Sequence, residues 1–511
     1  MSSNISTELI NNLSKLIAER MGLNFPKERW SDLERGICSA ARESGNQDPD
    51  EFIRQILVAP LDKIQIEILA GYLTIGETYF FREPASFENL ERVILPELVQ
   101  SYKGNGQRLR IWSAGCCTGE EPYSIAMTLS KIIPDLKDWN VSILATDINP
   151  RFLKKATQAE YTEWAFRETP PWVKQKFFKN KSDGHYEISP HVKKMVTFSY
   201  LNLAEDVYPS LLNNTNAMNV IFCRNVLMYF TPEKIKKVIQ NLFLSLVDGG
   251  WLIVSPAETA QVLYDQFETV NLQGMTAYRK NARREATITK YFESELATGI
   301  IPQFQQTINN EIFTFPDEVL SPPIPPTDRL PSRAEDSDRK PPESEKSEYD
   351  KFFTLYQQGR YLEAEEKLLK LLSFEQVDSA KASLLARIYA DQGKLNESLK
   401  WCEKAIALDK LNPELYYLHA LISQEQGDLR GTNLALKRAL YLDPNFIPAH
   451  FALGNLALRE EKFNESRKHM RNALLLLGTH RHDEILPESE GITVGRLIEI
   501  IRSTTNGEDL S

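Results

Sequence analysis

The residues best suited to chemistry fall in a few short segments. The first is Arg110-Ile-Trp-Ser-Ala-Gly115-Cys-Cys-Thr-Gly119-Glu-Glu-Pro-Tyr-Ser124, where an apolar run meets two glycines and then a helix-forming stretch. Glycines let a backbone approach a ligand closely, and a helix N-terminus offers unpaired N–H groups. The G-x-G-x-x-G spacing of a dinucleotide loop is absent, and Glu120 and Glu121 follow instead. Carboxylates suit a pyrophosphate poorly and a cationic amine or sulfonium well.

The second segment, Val141-Ser-Ile-Leu-Ala-Thr-Asp147-Ile-Asn149, puts an acid at the end of the next apolar run. There it is placed to accept both hydroxyls of a ribose. The competing assignment is a helix N-cap at Asp147 or Asn149. The third, Tyr200-Leu-Asn202-Leu203, offers an amide for an adenine edge, although an Asn after a strand is also ordinary turn chemistry. The fourth is Ile221-Phe-Cys-Arg-Asn225-Val226-Leu-Met-Tyr229-Phe230. Polar residues at four successive strand ends line the carboxyl edge of an open sheet, where such folds bind ligands. A nucleoside with a cationic tail, S-adenosylmethionine, fits this set best.

The elements that must position these residues follow from patterning. Short apolar runs at 109–113, 141–146, 196–201, 219–222 and 251–255 read as strands alternating with helices at 122–133 and 232–246. Runs at 267–272 and 275–279 are close enough to pair antiparallel. The expected class is therefore α/β, a doubly wound Rossmann-like sheet spanning residues 96–285 with a small β insert at about 183–192. Residues 1–95 read as a helical domain, with amphipathic stretches at 7–17, 26–41 and 61–72. From Pro316 to Pro342 there are eight prolines in 27 residues, so 286–348 reads as an extended linker.

The last third repeats every 34 residues. Gly359, Gly393 and Gly427 share one register, Ala405, Ala439 and Ala473 another, and Leu408, Leu442 and Leu476 a third. Tyr361, Leu395, Leu429 and Phe463 fill a fourth. This resembles the tetratricopeptide repeat, an all-α solenoid over 349–480 followed by a tail at 481–511. Its concave face is expected to hold a protein or peptide partner; the alternative is packing against the first domain.

Composition bounds the rest. The 511 residues carry a net charge of −10, which disfavours a nucleic-acid partner. No apolar run approaches the ~18–20 residues of a membrane helix, and residues 1–6 do not read as a secretory signal. Five cysteines and seven histidines show no ligand spacing, so no metal is expected and the thiols read as reduced and cytoplasmic.

With Thr78-Tyr-Phe-Phe-Arg82 added to the first, second and fourth segments, residues from about 9 to 279 resemble the chemotaxis receptor methyltransferase (CheR) family. The resemblance implies a protein-glutamate O-methyltransferase that uses S-adenosylmethionine, releases S-adenosylhomocysteine and acts on glutamates of cytoplasmic chemoreceptor helices. It implies cofactor contacts from Thr78, Arg82, Glu121, Asp147, Asn202, Leu203, Asn225 and Val226, beside Gly115 of the glycine loop, with Arg82 and Tyr229 facing the methyl-transfer centre. Three departures stand out. Gly76 replaces an Asn common in relatives, Cys117 replaces a Ser, and the insert is short, which favours recognition without a receptor tether. Arg29, Arg35 and Arg42 either meet acidic receptor helices or form an ordinary solvated face. Phe80 and Phe81 wall off solvent or anchor the core. Two rival functions are a methyltransferase for another substrate and an inactive scaffold that binds partners through its repeats.

Overall fold

The computed structural model describes residues 5–281 and 343–504, apart from 59–60, 62, 105–106, 182–183, 205–207, 212, 260–262, 375, 461 and 487–491. Most of the proline-rich stretch lies outside the described residues.

Four helices open the chain: α1 (Thr7–Met21), α2 (Trp30–Glu43), α3 (Pro49–Val58) and α4 (Lys63–Leu73). Ser6 caps α1 by accepting from the Leu9 N–H at 3.3 Å, and Leu9, Ile10, Leu13, Ile17 and Met21 form its buried stripe. The second amphipathic stretch starts later than expected, at Trp30, because residues 27–29 form a 3-10 turn. Helix α3 was not anticipated from the periodicity. Two short helices, α5 (Pro84–Asn89) and α6 (Leu95–Tyr102), lead into the sheet.

The sheet has seven strands: β1 (Arg108–Ala114), β2 (Asn140–Asp147), β6 (Val196–Tyr200), β7 (Met218–Phe222), β8 (Leu246–Ile253), β9 (Glu268–Leu272) and β10 (Met275–Arg279). Their order is β6-β2-β1-β7-β8-β10-β9; the first five run parallel and the last two form the expected antiparallel pair. Alternate residues serve opposite faces. Ile111, Ile143 and Val220 face one core, whereas Trp112, Leu144 and Ile221 face the other, which also takes Leu13, Ile17 and Met21 of α1. Each such side chain contributes roughly 1.5–3 kcal/mol by leaving water. Helices α7 (Glu120–Ile132), α8 (Pro150–Gln158) and α11 (Pro232–Ser245) cross between strands.

The small insert is more extensive than residues 183–192. Strands β3 (Glu160–Tyr161), β4 (Phe178–Asn180) and β5 (Tyr186–Ile188) make a three-stranded antiparallel sheet around α9 (Pro171–Phe177), followed by α10 (Pro190–Lys193). A two-residue strand such as β3 has too few positions to show an alternation.

The repeats form helix pairs α12 (Glu343–Gln357) and α13 (Tyr361–Leu372), α14 (Ser379–Asp391) and α15 (Leu395–Leu408), α16 (Pro413–Gln426) and α17 (Leu429–Leu442), and α18 (Ile447–Arg459) and α19 (Phe463–Leu477). Gly359, Gly393 and Gly427 sit at the intrapair turns with φ of 74°, 74° and 82°, which L side chains adopt at a cost. The expected tail contains a further helix, α20 (Val494–Thr504), whose Val494, Leu497 and Ile501 are buried.

The three turns also dock the solenoid on the seven-stranded sheet. A Cβ on Gly359 would collide with Leu244, one on Gly393 would come within 3.2 Å of Val247, and one on Gly427 within 3.1 Å of Asn140. The solenoid thus runs across the strand starts of β8, β1 and β2, at the edge opposite the glycine loop. Glu425 at the end of α16 joins Arg108 at 2.5 Å and Arg110 at 3.0 Å, and its carbonyl accepts from Asn140 at 3.0 Å. One surface of the repeats is therefore committed to the chain's own first domain.

Candidate functional site

The strand ends opposite the docked solenoid open into one cleft. Thr78, Arg82, Gly115, Glu121, Asp147, Asn202, Leu203, Asn225, Val226 and Tyr229, all ten residues singled out from the sequence, line it.

Gly115 follows β1 with φ 83°, and its N–H and that of Cys116 donate to the Thr146 carbonyl at 2.8 and 2.9 Å, tying the loop to the end of β2. Val226 lies where a side chain at 115 would project, so the loop and the β7 end close against each other. Asp147 accepts from the Cys117 N–H at 2.8 Å and the Asn149 N–H at 2.9 Å. Burial pushes its carboxyl up to about 6, against these backbone bonds that favour the ionised form. The capping assignment falls to Asn149. Asn149 caps α8 through the Arg151 N–H at 3.0 Å, which leaves the cleft to Asp147.

Glu121, also pushed up by burial, accepts from the Ser113 hydroxyl at 2.7 Å and pairs with Arg224 at 2.9 Å. Arg224 is almost fully buried; it also pairs with Glu83 at 3.0 Å and donates to the Arg82 carbonyl. Sequence reasoning passed over both Arg224 and Glu83, though Arg224 stands inside a quoted segment. Arg82 itself is half-buried. It donates to the Glu77 carbonyl at 2.6 Å, and no carboxylate pairs with it among the described residues.

Asn202 has its amide committed elsewhere. It donates to the Arg20 carbonyl at 2.8 Å and accepts from the Ala204 N–H at 3.0 Å, so it performs turn chemistry and fastens α1 to the sheet. Tyr229 accepts from the Asn24 N–H at its carbonyl, 2.6 Å away, and the Arg29 guanidinium lies 6.0 Å over its ring. Arg29 and Arg35 both pair with Asp32 on the face of α2. Phe80 is fully buried against Tyr161, Phe166 and Phe178, so it anchors the core.

Gly76 gains an explanation from its neighbour. A Cβ there would stand 2.6 Å from Phe152 Cζ, and the Phe152 ring lines the cleft in the space a side chain at 76 would use. Four non-glycine residues with positive φ, Phe81 (58°), Glu83 (57°), Cys117 (49°) and Asn225 (58°), surround the cleft. Such backbone strain, of order 1–3 kcal/mol each, persists where packing overrides it and gathers at functional sites. A second cleft shares Ile75, Glu77, Thr78 and Phe152 with the first, adds Gly76, and reaches Lys155, Trp164 and His185 at the small sheet.

The donor set fits a nucleoside with a cationic tail. Asp147 stands beside apolar Ile148 and Leu203, and desolvated Glu121 lies across the same cleft. Among the described residues no group of three or more His, Cys, Asp or Glu is arranged to hold a metal. All five cysteines are free thiols.

Residues 76–276 match the family described as CheR methyltransferase, SAM binding domain, and residues 383–410 match the tetratricopeptide repeat. The chemotaxis protein methyltransferase of Borreliella burgdorferi is 32% identical over 259 residues, covering 50% of this chain and 89% of that protein. Chemotaxis protein methyltransferase 1 of Pseudomonas aeruginosa is 35% identical, over 42% of this chain and 77% of its own. The probable biofilm formation methyltransferase WspC of Pseudomonas aeruginosa is 25% identical over 426 residues, 83% of this chain and 97% of that one. The chain belongs to the CheR family of S-adenosylmethionine-dependent methyltransferases and carries C-terminal tetratricopeptide repeats.

Proposed function

We propose that this protein methylates glutamate side chains on the cytoplasmic helices of methyl-accepting chemoreceptors, forming methyl esters in sensory adaptation. The observation that carries this reading is Arg82, a half-buried guanidinium in the cofactor cleft with no carboxylate partner among the described residues. It is suited to receive the carboxylate of an acceptor. The names of the relatives support the same substrate class.

Bound S-adenosylmethionine supplies an electrophilic methyl group on a sulfonium. In this reading Thr78, Gly115, Glu121, Asp147, Leu203, Asn225 and Val226 hold the cofactor, and Asn202 shapes the turn that presents Leu203. A glutamate has a pKa of about 4.3 and arrives ionised at pH 7, so the attack requires no general base. The protein's task is alignment to roughly 3–3.5 Å and removal of water from the carboxylate. Arg82 orients that carboxylate, and the Tyr229 ring helps close the transfer centre. The second cleft, separated by the 75–78 wall, gives the acceptor helix its approach past Trp164, which is 71% exposed. The solenoid surfaces not docked on the sheet hold a protein partner.

The test is transfer of tritiated methyl from S-adenosylmethionine to purified cytoplasmic fragments of chemoreceptors. The proposal expects label that mild base releases as volatile methanol. Label that resists base, as methyl on nitrogen does, would contradict it.

A further inference from the structure

Glu258 lies outside the cleft and outside every segment that the sequence pattern marked. It ends a 3-10 turn, Pro256–Glu258, that follows β8, and it is 7% exposed. Its carboxylate gathers five donors. Oε2 accepts from the Asn225 N–H at 2.8 Å, the Ser255 hydroxyl at 2.7 Å and the Ser255 N–H at 3.2 Å. Oε1 accepts from the Val226 N–H at 2.7 Å and the Met228 N–H at 3.2 Å. Its own carbonyl accepts from the Tyr264 hydroxyl at 3.1 Å, which fixes the turn from behind. No cation pairs with this buried carboxylate among the described residues; N–H and O–H donors satisfy it.

The three backbone donors belong to the loop that walls the cofactor cleft. Asn225 is left-handed, with φ 58°, and Val226 follows with φ −123° and ψ −49°. That sequence of dihedrals turns the N–H groups of 225, 226 and 228 toward one point, an arrangement of like dipoles that a negative charge stabilises. The same loop then delivers Asn225, Val226 and Tyr229 into the cleft, and sets Val226 against Gly115.

We propose that Glu258 is a positioning residue for the cofactor: its carboxylate builds the Asn225–Tyr229 loop, and through that loop fixes the cleft wall that S-adenosylmethionine meets. Glu258 touches neither cofactor nor acceptor. A merely structural role would lower stability without changing the cleft of the folded protein, so affinity of the folded protein is the discriminating readout.

The experiment measures the dissociation constant of S-adenosylmethionine by titration calorimetry on the full chain, with circular dichroism confirming that each variant is folded. Glu258→Gln keeps the shape but turns an NH2 toward backbone donors, and is expected to weaken binding at least tenfold. Glu258→Asp keeps the charge but withdraws it from the three N–H groups, and is expected to weaken binding at least fivefold; it serves if the Gln variant does not fold. Ser255→Ala removes one donor to the same carboxylate without touching the loop. It is expected to lower the thermal midpoint while leaving the dissociation constant within twofold. Folded Glu258→Gln or Glu258→Asp protein that binds within twofold of wild type would overturn the proposal, as would Ser255→Ala weakening binding as much as Glu258→Gln.

Discussion

Glu425, at the end of α16 in the third repeat, lies 3.0 Å from Arg110 at the start of β1, across the boundary between solenoid and catalytic sheet. Arg108 shares the same carboxylate, and burial lowers the Arg108 guanidinium to about 10 even with Glu425 beside it. Three side chains of this group are 11% exposed or less. The long proline-rich segment therefore does not string the repeats out as a separate module. They pack on the sheet at the edge away from the cofactor cleft.

Removing one partner of a buried ion pair typically costs about 3–5 kcal/mol, because the remaining charges lose their compensation. Glu425→Ala leaves two buried guanidinium groups facing each other and is expected to destabilise the chain by about that amount. Denaturant unfolding checks it. Since the contact is at the opposite sheet edge, cofactor affinity of the folded variant should remain within twofold of wild type. A loss of stability under about 0.5 kcal/mol would show that solvent reaches the pair and screens it.

Gly76 and Phe152 form a complementary pair. Gly76→Asn puts a side chain where the Phe152 ring stands and is expected to weaken S-adenosylmethionine binding several-fold. Phe152→Ala alone opens a gap in the cleft wall. The double variant should bind better than additivity of the two losses predicts, since each change removes the other's conflict. Additive losses in a double-mutant cycle would mean that the ring and position 76 act independently.

In the proposed cofactor role, Asp147 is expected to make S-adenosylmethionine binding pH-dependent. Its carboxyl titrates near 6 in the folded chain, against an ordinary value of 3.8. Between these values the folded chain holds a proton that the unfolded chain has released. This group's contribution to stability therefore falls as pH rises through 3.8 to 6 and stays at its lower value above. With Asp147 as the proposed ribose acceptor, binding is expected to run the other way, because an ionised carboxylate is the better acceptor for hydroxyls. Affinity for S-adenosylmethionine should rise with pH through about 6 and level off above 7. Calorimetric titrations from pH 5 to 8 should show the rise in wild type and a flatter profile in Asp147→Asn.

His450 and His469 meet at 3.0 Å through their Nδ1 atoms, and His450 Nε2 lies 3.1 Å from the Pro444 carbonyl. His450 thus donates from Nε2 and accepts at Nδ1, with both rings neutral. Burial holds both below the ordinary value of 6.5, aided at His469 by its neighbour His450. Asp443 and Glu465 oppose the shift, while Lys437 and Lys468 reinforce it. The unfolded chain takes up protons first, so stability is full above 6.5 and declines as pH falls below it. His469→Asn should reduce the slope of unfolding free energy between pH 6.5 and 5. An unchanged slope would assign that dependence to other groups.

Strand ends were legible because each polar residue closes an apolar run: Asp147 after 141–146 and Asn225 after 219–222. The repeats were legible because one register recurs at Gly359, Gly393 and Gly427. What stayed hidden depends on contacts between distant segments. Glu258 serves backbone N–H groups about 30 residues upstream, and no side-chain pattern marks such a partner. The docking of the turn glycines on Leu244, Val247 and Asn140 is equally silent, since a turn glycine reads the same whether it faces solvent or another domain. Asn202 shows the converse. Its position was legible, but its amide is occupied by Arg20 and Ala204.

The most direct test of the central claim is mass spectrometry of a chemoreceptor cytoplasmic fragment incubated with this protein and S-adenosylmethionine. The account predicts a mass gain of one methylene on glutamate-containing peptides, reversed by mild base and abolished when Arg82→Ala replaces the wild-type chain. Modification confined to lysine, arginine or histidine peptides, or glutamate methylation undiminished by Arg82→Ala, would contradict it.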